Sequence, residues 1–109
     1  MVEVKTSRPV RHYKRTGFDE PIYRYKWQGL QGNTKRTRKD GTVDIYILVG
    51  VQDDFNEFWI IPADVLQKPT AHAHPQQTKA HPSWLDEYYY GTDIQHVRNF
   101  FFQQEAYYE

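Results

Sequence analysis

The run at 42–51 constrains this chain most, because nearly every position from Val43 to Val51 is apolar. Val43, Ile45, Ile47, Val49 and Val51 fall on one face of an extended chain, and Tyr46 and Leu48 make the other face largely apolar too. A strand with two apolar faces must be covered on both, which predicts a central strand in a layered domain. A short polar loop follows, and Glu57, Phe58, Trp59, Ile60 and Ile61 return as the next strand before Pro62 ends it. The segment 43–62 therefore reads as a hairpin at the centre of a small sheet.

Val2 and Val4 alternate with Glu3 and Lys5, as in a half-buried strand with a carboxylate and an ammonium side by side on one face. Residues 8–19, with Pro9 and Gly17, read as a basic loop or irregular excursion. From 22 to 27 Tyr23, Tyr25 and Trp27 share one face and Arg24 and Lys26 the other, so the aromatics are expected inward and the cations outward. Asp40-Gly41 is a turn signal ahead of the central strand. Residues 63–66 are expected to make one helical turn, and 68–82, with three prolines and three histidines, a surface loop with neither helix nor ladder. Ser83 is the expected cap of a short helix through Trp84, Leu85, Tyr88 and Tyr89 that Gly91 stops. Thr92 with Gln95 is the expected capping box of a second, whose inward positions are Ile94, Val97, Phe101 and Tyr108. The expected class is α+β: a small central sheet with C-terminal helices packed on it.

With 109 residues the chain suits one domain, 1–109, with one modest core. It has no cysteine, which rules out disulfides, thiolate zinc sites and a cysteine nucleophile. No apolar run approaches the roughly 18 residues that span a bilayer, so no membrane role is expected and the cytoplasm is the expected location.

Formal net charge is zero, yet residues 1–39 carry eleven basic against three acidic side chains and residues 40–109 the reverse. That polarity predicts a positive face offered to phosphates, with Arg8, Arg11, Lys14, Arg15, Lys35, Arg36, Arg38 and Lys39 as the nucleic-acid-binding set and DNA as the partner. The competing account is two halves that neutralise each other across the fold.

Glu3-Val4-Lys5, followed by Thr6-Ser7, resembles the second half of the PD-(D/E)XK motif of restriction-type and junction-resolving nucleases. The basic excursion, the apolar strand and the aromatic strand ending in Pro62 follow in the order this family uses, so the resemblance covers about residues 2–66. It implies a restriction-endonuclease-like core and Mg²⁺-dependent DNA hydrolysis, with Glu3 and Lys5 as catalytic residues. Glu3 would be a metal ligand, and Lys5 would stabilise charge developing on the phosphate. The family's first acid lies upstream of this strand, where the sequence has only Met1 and Val2. Three accounts follow: a fragment of a longer nuclease, an acid supplied by a partner or second copy, or a domain that binds without cutting. Asp44 is a candidate substitute ligand if its strand lies beside that of Glu3 and its side chain faces the same way. A missing neighbour would also leave the edge at 2–6 open to homodimerisation.

His72, His74 and His81 invite a metal reading, but no acid lies among them and a solvated loop is the expectation. His12 sits amid Arg11 and Lys14 and reads as a phosphate-side contact. Gln103 and Tyr107 have a spacing found on a helix in another nuclease branch, but too far along the chain to match. A protein-interaction module with an acidic C-terminal part is the remaining class.

Overall fold

The computed structural model describes residues 2–12, 22–30, 43–76 and 83–108, with side chains described for all of these except 12, 22 and 103–108. Among the described residues seven strands form two sheets, accompanied by one α-helix and two 3-10 segments, so the class is mixed α and β. The strands are β1 (Val2–Ser7), β2 (Val10–His12), β3 (Ile22–Trp27), β4 (Ile45–Val51), β5 (Asn56–Pro62), β6 (Ala71–Ala73) and β7 (Tyr89–Gly91); the helix is α1 (Ile94–Tyr108).

The expected hairpin is the centre of the four-stranded sheet, whose order is β1-β4-β5-β7. β4 and β5 pair antiparallel from Ile45↔Pro62 to Val51↔Asn56, and Gln52 N–H donates to Phe55 O at 2.9 Å across the turn. β1 lies parallel to β4, with Val2 beside Ile45 and Lys5 beside Leu48. The second sheet, β2-β3-β6, covers one face of the first.

Both faces of β4 are covered, as its pattern requires, but the face with fewer aliphatic residues is the more deeply buried. Tyr46, Leu48, Trp59 and Ile61 are 0% exposed, and they pack with Tyr25 and Trp27 of β3 in one core. Ring centroids of Trp27 and Trp59 lie 5.2 Å apart in an edge contact, and those of Tyr25 and Trp59 5.7 Å apart. Withdrawing each of these large side chains from water contributes roughly 1.5–3 kcal/mol. The opposite face packs Val49, Phe58 and Ile60 against Val97 of α1, leaving Ile45, Ile47 and Val51 half-buried. α1 contacts β5 and β7. Beyond its reach Val2 and Val4, the neighbours of Ile45 and Ile47, are 45% and 55% exposed.

Gly50 shows why this packing needs its sequence. A Cβ built there would lie 2.5 Å from the ring of Tyr25, so the ring rests directly on the glycine backbone.

Several expectations need correction. Part of the excursion at 8–19 is strand: Val10–His12 pairs with Ile22–Arg24. The loop expected at 68–82 contains β6, paired with β3. Ala71 and Ala73 are each 3% exposed, because small residues fit beside Trp27 and Tyr25 while Pro69 and Pro75 bracket the pairing rather than prevent it. The short helix at Trp84–Tyr88 is 3-10, with Ser83 and Asp86 forming a capping box, and Tyr89–Gly91 is a strand rather than its last turn. Asp93, not Thr92, caps α1: its Oδ1 accepts from Gln95 N at 2.9 Å. Ile94 is 50% exposed, and Phe100 takes an inward place beside Val97 and Phe101. The expected turn after Pro62 is present at Ala63–Val65. Tyr23, expected inward, is 48% exposed. Asp40-Gly41 and His81 lie outside the described residues. Among the described residues no helix is long and apolar enough to cross a membrane.

Candidate nucleic-acid interface

Alternation along β1 and its register with β4 put Glu3, Lys5 and Ser7 on the face that carries Tyr46, Leu48 and Gly50. That face is the one roofed by the second sheet, but among the described residues β1 is the sheet's edge, and Glu3 and Lys5 are half-buried at its margin. Lys5 Nζ lies 3.7 Å from Glu3 Oε1, a partly solvated pair worth about 0–1 kcal/mol. Gly29, with φ +71°, turns the chain past the ammonium; a Cβ there would sit 3.5 Å from Lys5 Nζ. Ser7 Oγ accepts from Lys26 N at 2.9 Å and donates to Arg8 O at 2.8 Å, fastening the end of β1 to β3.

The sequence-predicted cations divide into three groups. Arg8 is exposed and pairs with the exposed Asp53 at 3.3 Å. Arg11 is exposed on β2, opposite Tyr23 of β3. Lys14, Arg15, Lys35, Arg36, Arg38 and Lys39 lie outside the described residues. On β3 Arg24 is half-buried and Lys26 exposed, opposite in direction to the buried Tyr25 and Trp27. Lys26 stands beside His72 of β6. The strands β2, β3 and β6 contain no acidic residue, so the second sheet carries only cationic or neutral side chains.

Glu3 and Asp44 were the candidate metal ligands. Asp44 is exposed just before β4, and its carbonyl accepts from Ala63 N at 2.9 Å. Among the described residues no group of three or more His, Asp or Glu side chains converges. His72 and His74 are half-buried rather than solvated, because β6 lies against β3.

No family model matches the chain, and no curated protein and no solved structure matches it at a significant level.

One polar cluster escaped the reading of the sequence. Glu57 on β5 is 1% exposed, beside Gly50 in register. Its Oε2 accepts from Tyr25 Oη at 2.6 Å, and its Oε1 accepts from Tyr89 Oη at 3.0 Å and from Gln76 N at 3.1 Å. Gln52 Nε2 in turn donates to Tyr25 Oη at 2.8 Å. Burial first, and then the hydrogen bond to Glu57, push both tyrosine hydroxyls well above their ordinary range. The cluster joins β3, β5, β7, the β4–β5 turn and the segment after β6, so it ties one sheet to the other. The signal was present: strand alternation puts Glu57 on the same face as Trp59 and Ile61, where an acid must find donors.

Proposed function

We propose that this chain is a nucleic-acid-binding domain built on part of a restriction-endonuclease-like core, with DNA as its partner and the cytoplasm as its setting. The observation that carries the reading is the acid-free second sheet, which presents Arg24 and Lys26 outward and Arg11 at its rim. Backbone phosphates suit such a surface, and their contacts supply affinity with little sequence selectivity. Lys14, Arg15, Lys35, Arg36, Arg38 and Lys39, from the segments that adjoin β3 in the chain, extend the same set of cations.

The test is fluorescence anisotropy with a labelled oligonucleotide across a salt series. Each neutralised phosphate contributes a slope of about −0.9 in log K against log salt, so several contacts give a slope steeper than about −3. A flat salt dependence, or no binding, removes the reading in favour of a protein-interaction module.

A second reading, Mg²⁺-dependent phosphodiester hydrolysis, is favoured by the adjacency of Glu3 and Lys5 on one strand face. It needs a further acid from outside the described donors, and the cleavage assay is the discriminator. Cutting that requires Mg²⁺, stops with EDTA and is lost in both Glu3→Gln and Lys5→Ala supports it. Binding without cutting leaves the domain as a holder of nucleic acid. A homodimer through β1 also belongs to this proposal, since among the described residues β1 pairs only with β4 and leaves Val2 and Val4 exposed beside Ile45 and Ile47. Light scattering should then show a dimer that Val4→Lys converts to monomer. A wild-type monomer at high concentration counts against it.

A further inference from the structure

β1 is complementary to itself. Val2, Val4 and Thr6 lie on the side of α1 and are exposed, while Glu3 and Lys5 lie on the side of the second sheet and are half-buried. Among the described residues β4 is its only sheet neighbour, so every second residue of β1 turns its backbone N–H and C=O away from the sheet.

Two copies that meet at this edge about a two-fold axis run antiparallel, and the axis keeps each face of one sheet level with the same face of the other. Opposite residues then share a face, which allows only registers centred on a residue of β1. A centre at Glu3 or Lys5 sets like charges against each other, and a centre at Val2 or Thr6 shortens the ladder. A centre at Val4 does neither. It sets Val4 against the partner's Val4, Val2 against the partner's Thr6, and Glu3 against the partner's Lys5 on both sides of the axis. Glu3 and Lys5 are already 3.7 Å apart within one strand, so the four charges alternate in sign around a square with like charges on its diagonals.

The other face agrees with this register. Val4 continues the row of Ile47 and Ile60, so the pairing joins two apolar rows into one that crosses the axis. Beside that row an open groove of about 430 Å³ lies between Ile47 and the side chains of Val97, Phe101 and Phe102, the last of them 66% exposed. The axis brings the grooves of both copies to one face of the extended sheet, with the exposed valines between them.

We propose that a second copy of the chain occupies this edge in a single register, with the two-fold axis at Val4 and Glu3 of each copy paired with the partner's Lys5. The result is one continuous sheet with four strands from each copy. This arrangement rests on the homodimer reading and adds to it the register and the charge pairs that select it.

Sedimentation of the full chain measures the dissociation constant of the dimer. Glu3→Lys and Lys5→Glu should each weaken dimerisation by about tenfold or more, because each turns two attractions into repulsions. An equal mixture of the two variants should restore a dimer. The double variant Glu3→Lys/Lys5→Glu should also restore it, whereas a centre at Glu3 or Lys5 would keep like charges opposed. Unchanged circular dichroism spectra separate a lost dimer from a lost fold. The chain has no cysteine, so one introduced thiol reports the axis directly. Val4→Cys should yield a disulfide-linked dimer on mild air oxidation, since opposite Cα atoms lie about 4.5–5.5 Å apart, within disulfide reach. Val2→Cys should not, because Val2 faces the partner's Thr6 and lies about 13 Å along the strand from the partner's Val2. A dimer indifferent to both charge reversals, or one that Val2→Cys links and Val4→Cys does not, overturns the register and leaves the homodimer standing. A wild-type chain that stays monomeric at high concentration overturns both.

Discussion

Replacing Tyr25 by Phe removes one oxygen from the middle of the fold and nothing else. The ring still covers Gly50, so no cavity opens, and the loss is confined to hydrogen bonding. Tyr25 is 0% exposed and its hydroxyl donates at 2.6 Å to Glu57 Oε2. Glu57 would keep Tyr89 and Gln76 N, both on its other oxygen. A hydrogen bond to a charged group contributes about 1.5–3 kcal/mol, and leaving part of a buried carboxylate bare belongs in that range. Gln52 also loses an acceptor, but it is half-buried and water can replace the hydroxyl. The expected destabilisation is about 2 kcal/mol, or roughly 8 °C in Tm for a domain this size. Urea unfolding followed by tryptophan fluorescence measures it, since Trp27 and Trp59 lie against Tyr25, and the m-value should not change. Tyr25→Phe combined with Tyr89→Phe should lose more than the sum of the single changes, because each hydroxyl partly covers for the other. A Tyr25→Phe variant within about 0.5 kcal/mol of wild type would refute the idea that Glu57 holds the sheets together.

The same cluster predicts alkaline sensitivity. Tyr25 and Tyr89 ionise later in the folded chain than the value near 10 expected when unfolded, so their stabilisation is complete below about pH 10 and is lost as pH rises above it. The slope should approach about 1.4 kcal/mol per pH unit for each tyrosine, read from urea midpoints, and Tyr89→Phe should reduce it. Gly50→Ala forces a methyl into the Tyr25 ring and should destabilise by about 2–3 kcal/mol in the same assay; a neutral result would mean the ring can move aside. Arg8→Gln should change stability by less than about 0.5 kcal/mol, since Arg8 and Asp53 are 69% and 93% exposed, and a larger loss would show a contact beyond this pair.

The hairpin at β4 and β5 was legible because period-2 alternation and Pro62 are local signals, and so was the placement of Glu3 and Lys5 on one face. What the sequence concealed depends on contacts between distant segments. β6 is only Ala71–Ala73, too short for a periodic signal, and becomes a strand because β3 offers a ladder next to large rings. β2 is likewise three residues long and exists by pairing with β3. The reversal of burial on β4 has the same origin, since nothing local says that the aromatics of β3 cover Tyr46 and Leu48 while α1 leaves Ile47 half-covered. At the candidate site Tyr23 was grouped with Tyr25 and Trp27 because alternation gives a direction but not the place where the covering layer ends.

The charge polarity of the sequence takes on a meaning in the fold that neither half has alone. One described ion pair joins the two halves, Arg8 with Asp53, and being exposed it contributes little, while Lys5 with Glu3 lies within the basic third. Glu57, an acid of the other half that reaches the second sheet, meets it through the hydroxyl of Tyr25, a neutral donor, so it consumes no positive charge there. The fold thus satisfies its one fully buried carboxylate among the described residues with hydroxyls and an amide, while Arg24 and Lys26 lie on the outer side of the second sheet. A sheet arranged in that way is held together by its aromatic core and polar cluster rather than by its charges. Raising salt should therefore weaken ligand binding steeply while leaving stability nearly unchanged.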